Sequence, residues 1–337
     1  MVTAVDGKTR VRLPVLGVVA FVVVAAVGLL LAKWWPYAQR TATLADTHTW
    51  TSASLLDGEA PSLRAGWDFL VVYTKAVWPA LVAAVVIGAA VETLLPAGWL
   101  PRAVGRRGRL GAALAGLPTM MCTCCTAPVV GSMRRRGLAA SAASAFWLAN
   151  PVLNPAVLVF LALVGPWQWS VTRLVVGVVL VLGVAAVVAR VVPDGPAPLE
   201  GVDPPAPQRF GRALGRFALV LVPEYAVLVF AVGALRGWLF PLDGEAVTTT
   251  LVAVCVALVL GLVVVLPTGG EIPVLLALAA VGLSPAVLGI LLITLPAISL
   301  PSAVMVGRAL TWRGVAVAAG GVAAAGLLAS ALLAVLS

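Results

Sequence analysis

The 337-residue chain is 62% apolar and only 10% charged, against about 45–50% and about 25% in an average soluble domain. With a mean hydropathy of +1.10 it lacks the polar surface to cover a water-soluble globule, which excludes soluble enzymes, disordered regulators and coiled coils. Its net charge of +9 comes from basic residues at the ends of apolar runs, the pattern of topology signals beside an anionic leaflet and not of a nucleic-acid surface.

The apolar runs are about 20 residues long and do not alternate, which predicts membrane-crossing helices and excludes a barrel of short strands. Residues 13–32 form the first run, preceded by Lys8, Arg10 and Arg12. No small-x-small cleavage site closes it, so it reads as a retained span and not a signal peptide. Residues 33–66 are polar, carry Trp34, Trp35 and Trp50, and read as an external loop. Residues 67–95 form the second span, and a basic loop with Arg102, Arg106, Arg107 and Arg109 follows.

Residues 110–133 are apolar but interrupted by Pro118 and Pro128, and Arg134, Arg135 and Arg136 follow them. A single crossing would put one basic cluster on the wrong side of the membrane. A re-entrant hairpin keeps both clusters inside, provided its non-helical backbone is satisfied by protein or a watery cavity. Residues 138–164 and 171–192 are two further spans, and residues 193–209 are a Pro-rich cytoplasmic linker with room to dock a soluble partner. Residues 210–239 cross again. Residues 247–281 are broken between Pro267 and Pro273 and read either as a second hairpin or as a full span. Residues 285–306 and 315–336 complete the chain, for about seven full crossings. This topology places most of the 22 basic residues inside, with a cytoplasmic N-terminus in the cytoplasmic (inner) membrane.

The chain also repeats. Pro128-Val129-Val130 recurs as Pro273-Val274-Leu275, Gly137-Leu138 as Gly282-Leu283, and Pro151 as Pro296, all at an offset of 145 residues. Asn154-Pro155 recurs as Ser299-Leu300-Pro301 with one insertion, and Trp78-Pro79 as Val222-Pro223. The predicted fold is therefore an all-α polytopic membrane protein. It has two inverted repeats, each span–re-entrant hairpin–span–span, plus an extra N-terminal span. The divisions are residues 1–66, 67–192, 193–209 and 210–337. Inverted repeats with breaks in corresponding places point to a transporter whose site lies where the breaks converge.

The first break concentrates Cys122, Thr123, Cys124 and Cys125. Soft thiols suit Cu(I), trivalent arsenic or sulfur compounds, although Cys also packs well as a small apolar residue. The second break reads Thr268-Gly269-Gly270-Glu271. Its glycines permit close backbone approach, and an ionisable residue at membrane depth, Glu271, is a functional candidate to carry a proton or pair with a cation. Glu224, inside a span, is the second proton-coupling candidate. Asn150 and Asn154 bring carboxamides to a proline-kinked span, and Ser299 is their counterpart in the other half. The one histidine, His48, cannot build a histidine metal site, so no metal centre and no cofactor are expected. Glu92 reads as interfacial and Cys255 as packing.

Together, Cys122-Thr123-Cys124 with Pro128, Arg136-Gly137, Asn150-Pro151 with Asn154-Pro155, and Glu271-Ile272-Pro273 resemble the predicted-permease family that includes the YraQ proteins and the ArsP organoarsenical efflux permeases. The resemblance spans roughly residues 67–336. The family's first motif is usually Cys-Ser-Cys, and its second half often carries a Cys-Ser-like stretch where this chain has Gly269-Gly270. It implies a secondary permease, not an enzyme, that moves a small solute across a lipid bilayer, with homo-oligomers allowed and no nucleic-acid partner. The competing expectation is a membrane thiol-disulfide oxidoreductase that cycles the Cys122-Thr123-Cys124-Cys125 cluster.

Overall fold

The computed structural model describes residues 7–50, 61–96, 99–104, 108–193, 206–239, 250–280 and 282–337. Arg106, Arg107, residues 194–205 of the expected linker and residues 247–249 lie outside the described residues. Every regular element described is helical. In order they are α1 (Gly7–Leu29), α2 (Trp35–Thr47), α3 (Leu63–Leu94), α4 (Trp99–Val104), α5 (Gly108–Gly116), α6 (Thr123–Arg135), α7 (Ala140–Val152), α8 (Pro155–Val164) and α9 (Trp167–Val191). They continue as α10 (Ala206–Arg216), α11 (Val222–Leu239), α12 (Thr250–Val263), α13 (Glu271–Ala280), α14 (Pro285–Ala297) and α15 (Leu300–Leu336).

Six helices among the described residues are long and apolar enough to cross a membrane: Val15–Thr47, Leu63–Leu94, Ala140–Val164, Trp167–Val191, Gln208–Leu235 and Leu300–Leu336. The sequence reading of about seven differs at the C-terminal end. There α14 stops at Ala297, too short to cross alone, and the chain from Leu300 to Leu336 runs as one helix kinked at Thr311. The first span also runs further than hydropathy suggests. A π-helical turn at Leu30–Trp34 joins α1 to α2, so residues expected in an external loop are helical as far as Thr47. Lys33, Trp34 and Trp35 look like interface anchors in the sequence, but Pro36 sits in the first turn of α2, where a missing N–H costs nothing.

Membrane character shows on the surface. Along α9, Val171, Leu174, Val175, Val178, Val179 and Leu182 are exposed, while Val176, Leu180, Val181 and Val184 are buried. The helix is apolar all round, which suits one face on protein and the other on lipid. The main core joins α3, α6, α7, α9 and α15, and a second cluster joins α2, α8, α12, α13 and α14.

The elements recur at the offset found in the sequence. Helices α7 and α14 are both 13 residues long, and they pack against α5 and α12 respectively. Gly137 and Gly282 both have positive φ, 88° and 84°. Each ends the preceding helix in the same way. Gly137 N–H donates to Arg134 O and Leu138 N–H to Met133 O, while Gly282 N–H donates to Ala279 O and Leu283 N–H to Leu278 O, all at 3.0 Å. This is the left-handed helix stop that glycine adopts without a Cβ penalty. A Cβ at either glycine would meet nothing within 4 Å, so a substitution costs backbone conformation alone. Gly137→Ala and Gly282→Ala should each lose about 1–2 kcal/mol, read as a lowered thermal midpoint in detergent.

Candidate substrate site at the broken helices

The first break is built by proline and held by an asparagine. Helix α5 ends at Gly116, Leu117–Thr119 forms a single 3₁₀ turn, and Met120 takes a left-handed conformation with φ 48°. Asn150, fully buried on α7, fixes this bend. Its Oδ1 accepts from the Thr119 hydroxyl and from Met121 N–H at 3.2 Å. Its Nδ2 donates to Phe146 O at 2.9 Å. Trp34 Nε1 donates to Pro118 O at 2.6 Å, tying the N-terminal helix to the same bend.

Cys122 then caps α6 without a side-chain bond, and Thr123, Cys124 and Cys125 fill the first turn. The helix N-terminus, with its unpaired N–H groups and partial positive charge, therefore sits among the thiols. Cys122 Sγ lies 3.2 Å from Cys124 Sγ and 2.9 Å from Cys125 Sγ. The three sulfurs fall within 4.8 Å of one another and all are buried. Such a set can bind one soft centre through several sulfurs. Cys255 is exposed on α12 and takes no part, against its expected packing role.

Prolines on α7 and α8 free carbonyls, and a residue the sequence reading passed over collects them. Pro155 has no N–H to offer Pro151 O. The Ala156 N–H that would serve Val152 O is instead taken by Asn154 Oδ1, which caps α8 at 3.1 Å. Arg173, fully buried on α9, donates to both orphaned carbonyls, to Pro151 O at 2.8 Å and Val152 O at 3.0 Å. The same guanidinium forms an ion pair with Glu271 Oε1 at 2.8 Å, with the two side chains 0% and 3% exposed. Sequence treats Arg173 as one topology charge among many. The usable signal is its depth, beyond the Trp167 and Trp169 belt at the start of α9.

Glu271 opens α13 in the second half, so the pair joins α9 to the second break. Nearby, Thr123 Oγ1 and Ser299 Oγ lie 3.1 Å apart, and a Ser299–Ser302 capping box starts α15. Cys122, Thr123, Thr268, Glu271 and Ser299 line one small space, with Pro151 and Pro296 beside them. Its volume is about 10 Å³, no more than one water needs. This is a closed waist. Asn150 and Asn154 support it from behind through backbone bonds, and Cys124 and Cys125 lie beside Cys122.

Two larger cavities border α6. One, of about 390 Å³, shares Cys122, Pro267 and Thr268 with the waist and adds Lys33, Tyr37, Arg40, Trp50, Gly269 and Gly270. The other, of about 240 Å³, is lined by Arg134, Arg135, Arg216 and Arg308 with Ala127, Pro128, Phe217 and Met305. Ala127 lies about one turn, roughly 6 Å, along α6 from Thr123. Glu92 bridges Arg135 and Arg216 at 2.8 and 2.6 Å. Glu224 pairs with Arg308 at 2.9 Å. Glu224 thus belongs to the arginine end and not to the waist where Glu271 lies.

An all-helical protein with several apolar membrane-length helices, whose broken helices and kinked spans meet at one thiol-bearing waist, has the architecture of a multi-pass membrane transporter. A family described as a predicted permease matches residues 62–197. The chain is 41% identical over 291 residues to the UPF0718 protein YraQ of Escherichia coli (strain K12), covering 82% of this chain and 83% of that one. It belongs to this predicted-permease family. No solved structure matches it.

The buried pair has a testable energetic consequence. Arg173→Met or Glu271→Leu alone leaves an uncompensated buried charge and should cost about 3–5 kcal/mol. The double variant should recover part of that, with the Pro151 and Val152 carbonyls still unpaired. Denaturation midpoints of the two single variants and the double give the coupling energy directly.

Proposed function

We propose that the chain is a secondary-active permease of the cytoplasmic membrane that moves a small thiophilic solute through the waist between its two breaks. In this reading residues 67–192 and 210–337 are inverted repeats, and the α5–α6 and α12–α13 pairs are re-entrant hairpins. The observation that carries it is the convergence of Cys122, Thr123, Thr268, Glu271 and Ser299, drawn from both halves, on one small space. The short helices support the hairpins. At 9, 13, 14 and 10 residues each is about 14–21 Å long, below the roughly 30 Å of a hydrocarbon core. The repeated glycine stops and paired 13-residue helices support the duplication.

Transport follows by alternating access. Substrate meets the thiols of Cys122, Cys124 and Cys125 and the backbone at Gly269 and Gly270, and one half rocks against the other to close one cavity and open the next. Arg173–Glu271 and Thr123–Ser299 are the contacts that such a motion rearranges. Protonation of Glu271 releases Arg173 and couples the motion to a proton gradient. Glu224, held by Arg308 at the arginine end, is the second proton-coupling residue of this reading.

Transport into everted vesicles tests this, with trivalent methylarsenical, arsenite, Cu(I) and thiosulfate as the panel. At least one compound should accumulate in a gradient-dependent way. Cys122→Ser/Cys124→Ser/Cys125→Ser should cut the rate about tenfold or more, and Glu271→Gln should uncouple it from the gradient. Rates unchanged in both variants would overturn the assignment.

A further inference from the structure

The cavity beside the thiols has a charge that thiol chemistry alone does not require. Lys33 is 5% exposed, set there by the π-helical turn at Leu30–Trp34, a device that re-aims side chains and is common at functional sites. Its Nζ donates to Tyr37 Oη at 3.1 Å and Thr268 Oγ1 at 3.2 Å. An ammonium has three donors, so these two bonds leave one for a ligand. Among the described residues no carboxylate lies within ion-pair distance of Lys33, and none lines its cavity. With no carboxylate beside it, this buried ammonium has, among the described residues, only the Cys122 and Cys125 thiols and the Tyr37 hydroxyl as acidic neighbours, and a cation at membrane depth marks a ligand or pathway.

Other features carry the same sign. Arg40 lines the same cavity, stacked 4.1 Å over the Trp50 ring. The N-terminal turn of α6 starts at Cys122, which lines it as well, and that helix end favours anions. Near the waist, Arg173 keeps Nη1 buried without a hydrogen-bond partner.

We propose that the Lys33 cavity takes a small oxyanion bearing a soft atom, with Lys33 as its counter-charge and the Cys122 thiol against the soft end. The inference rests on the permease reading and adds the charge class of the permeant solute. At about 390 Å³ the cavity holds a tetrahedral oxyanion with a few waters to spare. A neutral thiophile gains nothing from Lys33, and a free metal cation is repelled by it.

Binding to the full-length protein in detergent, by titration calorimetry, separates these classes. Thiosulfate carries charge and a soft sulfur, sulfate has the same charge and shape without the soft atom, and trivalent methylarsenical has the soft atom without the charge. Thiosulfate should bind most tightly of the two anions. Lys33→Met should weaken it about tenfold or more, the range of a charge-assisted hydrogen bond. Lys33→Arg should hold it within a few fold, and Cys122→Ser should remove its advantage over sulfate. Lys33→Gln, which keeps a donor toward Tyr37 and Thr268, replaces Lys33→Met if that variant does not fold. Thiosulfate affinity indifferent to Lys33, or binding of methylarsenical alone, overturns the inference and leaves the permease reading standing. Vesicles that move no compound of the panel overturn the permease reading instead.

Discussion

The ion pair between Arg173 and Glu271 is the constraint around which the rest of the molecule is arranged. Neither charge is tolerable alone in so apolar an interior. The pair is made tolerable by its own attraction and by two carbonyls at the end of α7, Pro151 O freed by Pro155 and Val152 O freed by the Asn154 cap, to which Arg173 donates. One guanidinium thereby fixes three things: the kink between α7 and α8, the rotation of α9, and the approach of the second break to the first half. The Thr123–Ser299 contact repeats the cross-connection one layer away. The waist exists because these two contacts hold the start of α13 against α9 and the start of α6 against the start of α15.

Around that pair the broken backbone is satisfied by short polar side chains, in keeping with the rule that irregular backbone at membrane depth must find partners within the protein. Asn150 closes the first bend, Asn154 caps α8, and Ser299 caps α15. These are conformational tasks, and Asn154 keeps its Nδ2 buried without a hydrogen-bond partner beside them. The thiols, by contrast, have no cap or bend to serve. Cys122 stands at an N-cap position without a capping bond, which fits a residue kept for chemistry better than one kept for folding.

Sequence made the architecture legible wherever proline and glycine punctuate apolar runs. The breaks near Pro118–Pro128 and Pro267–Pro273 and the glycine stops at 137 and 282 all appear as spacing in the chain. Cys122, Glu271 and Ser299 stood out because polar or soft residues are rare inside such runs. Lys33 and Arg173 did not, for the same physical reason. Both sit near the start or end of an apolar run, where a basic residue ordinarily anchors a helix at the interface. Their burial comes from a π turn in one case and a neighbouring break in the other, and neither is visible in one-dimensional hydropathy. Nor does spacing show that Glu224 lies with Arg308 at the far end of the helices from Glu271.

The helix that brings Lys33 lies outside both of the proposed repeats. It reaches the thiol cavity from outside the pair, holding on through Trp34 to the carbonyl of Pro118, and it precedes residues 62–197, where the family match lies. In the proposed reading, the scaffold and the soft ligands are carried by one part of the chain and the electrostatic selectivity by another. On that reading, two relatives with the same break and the same cysteines would discriminate between charged and neutral cargo through this one helix. Such a division would let cargo change with that segment while the rest of the fold stays the same.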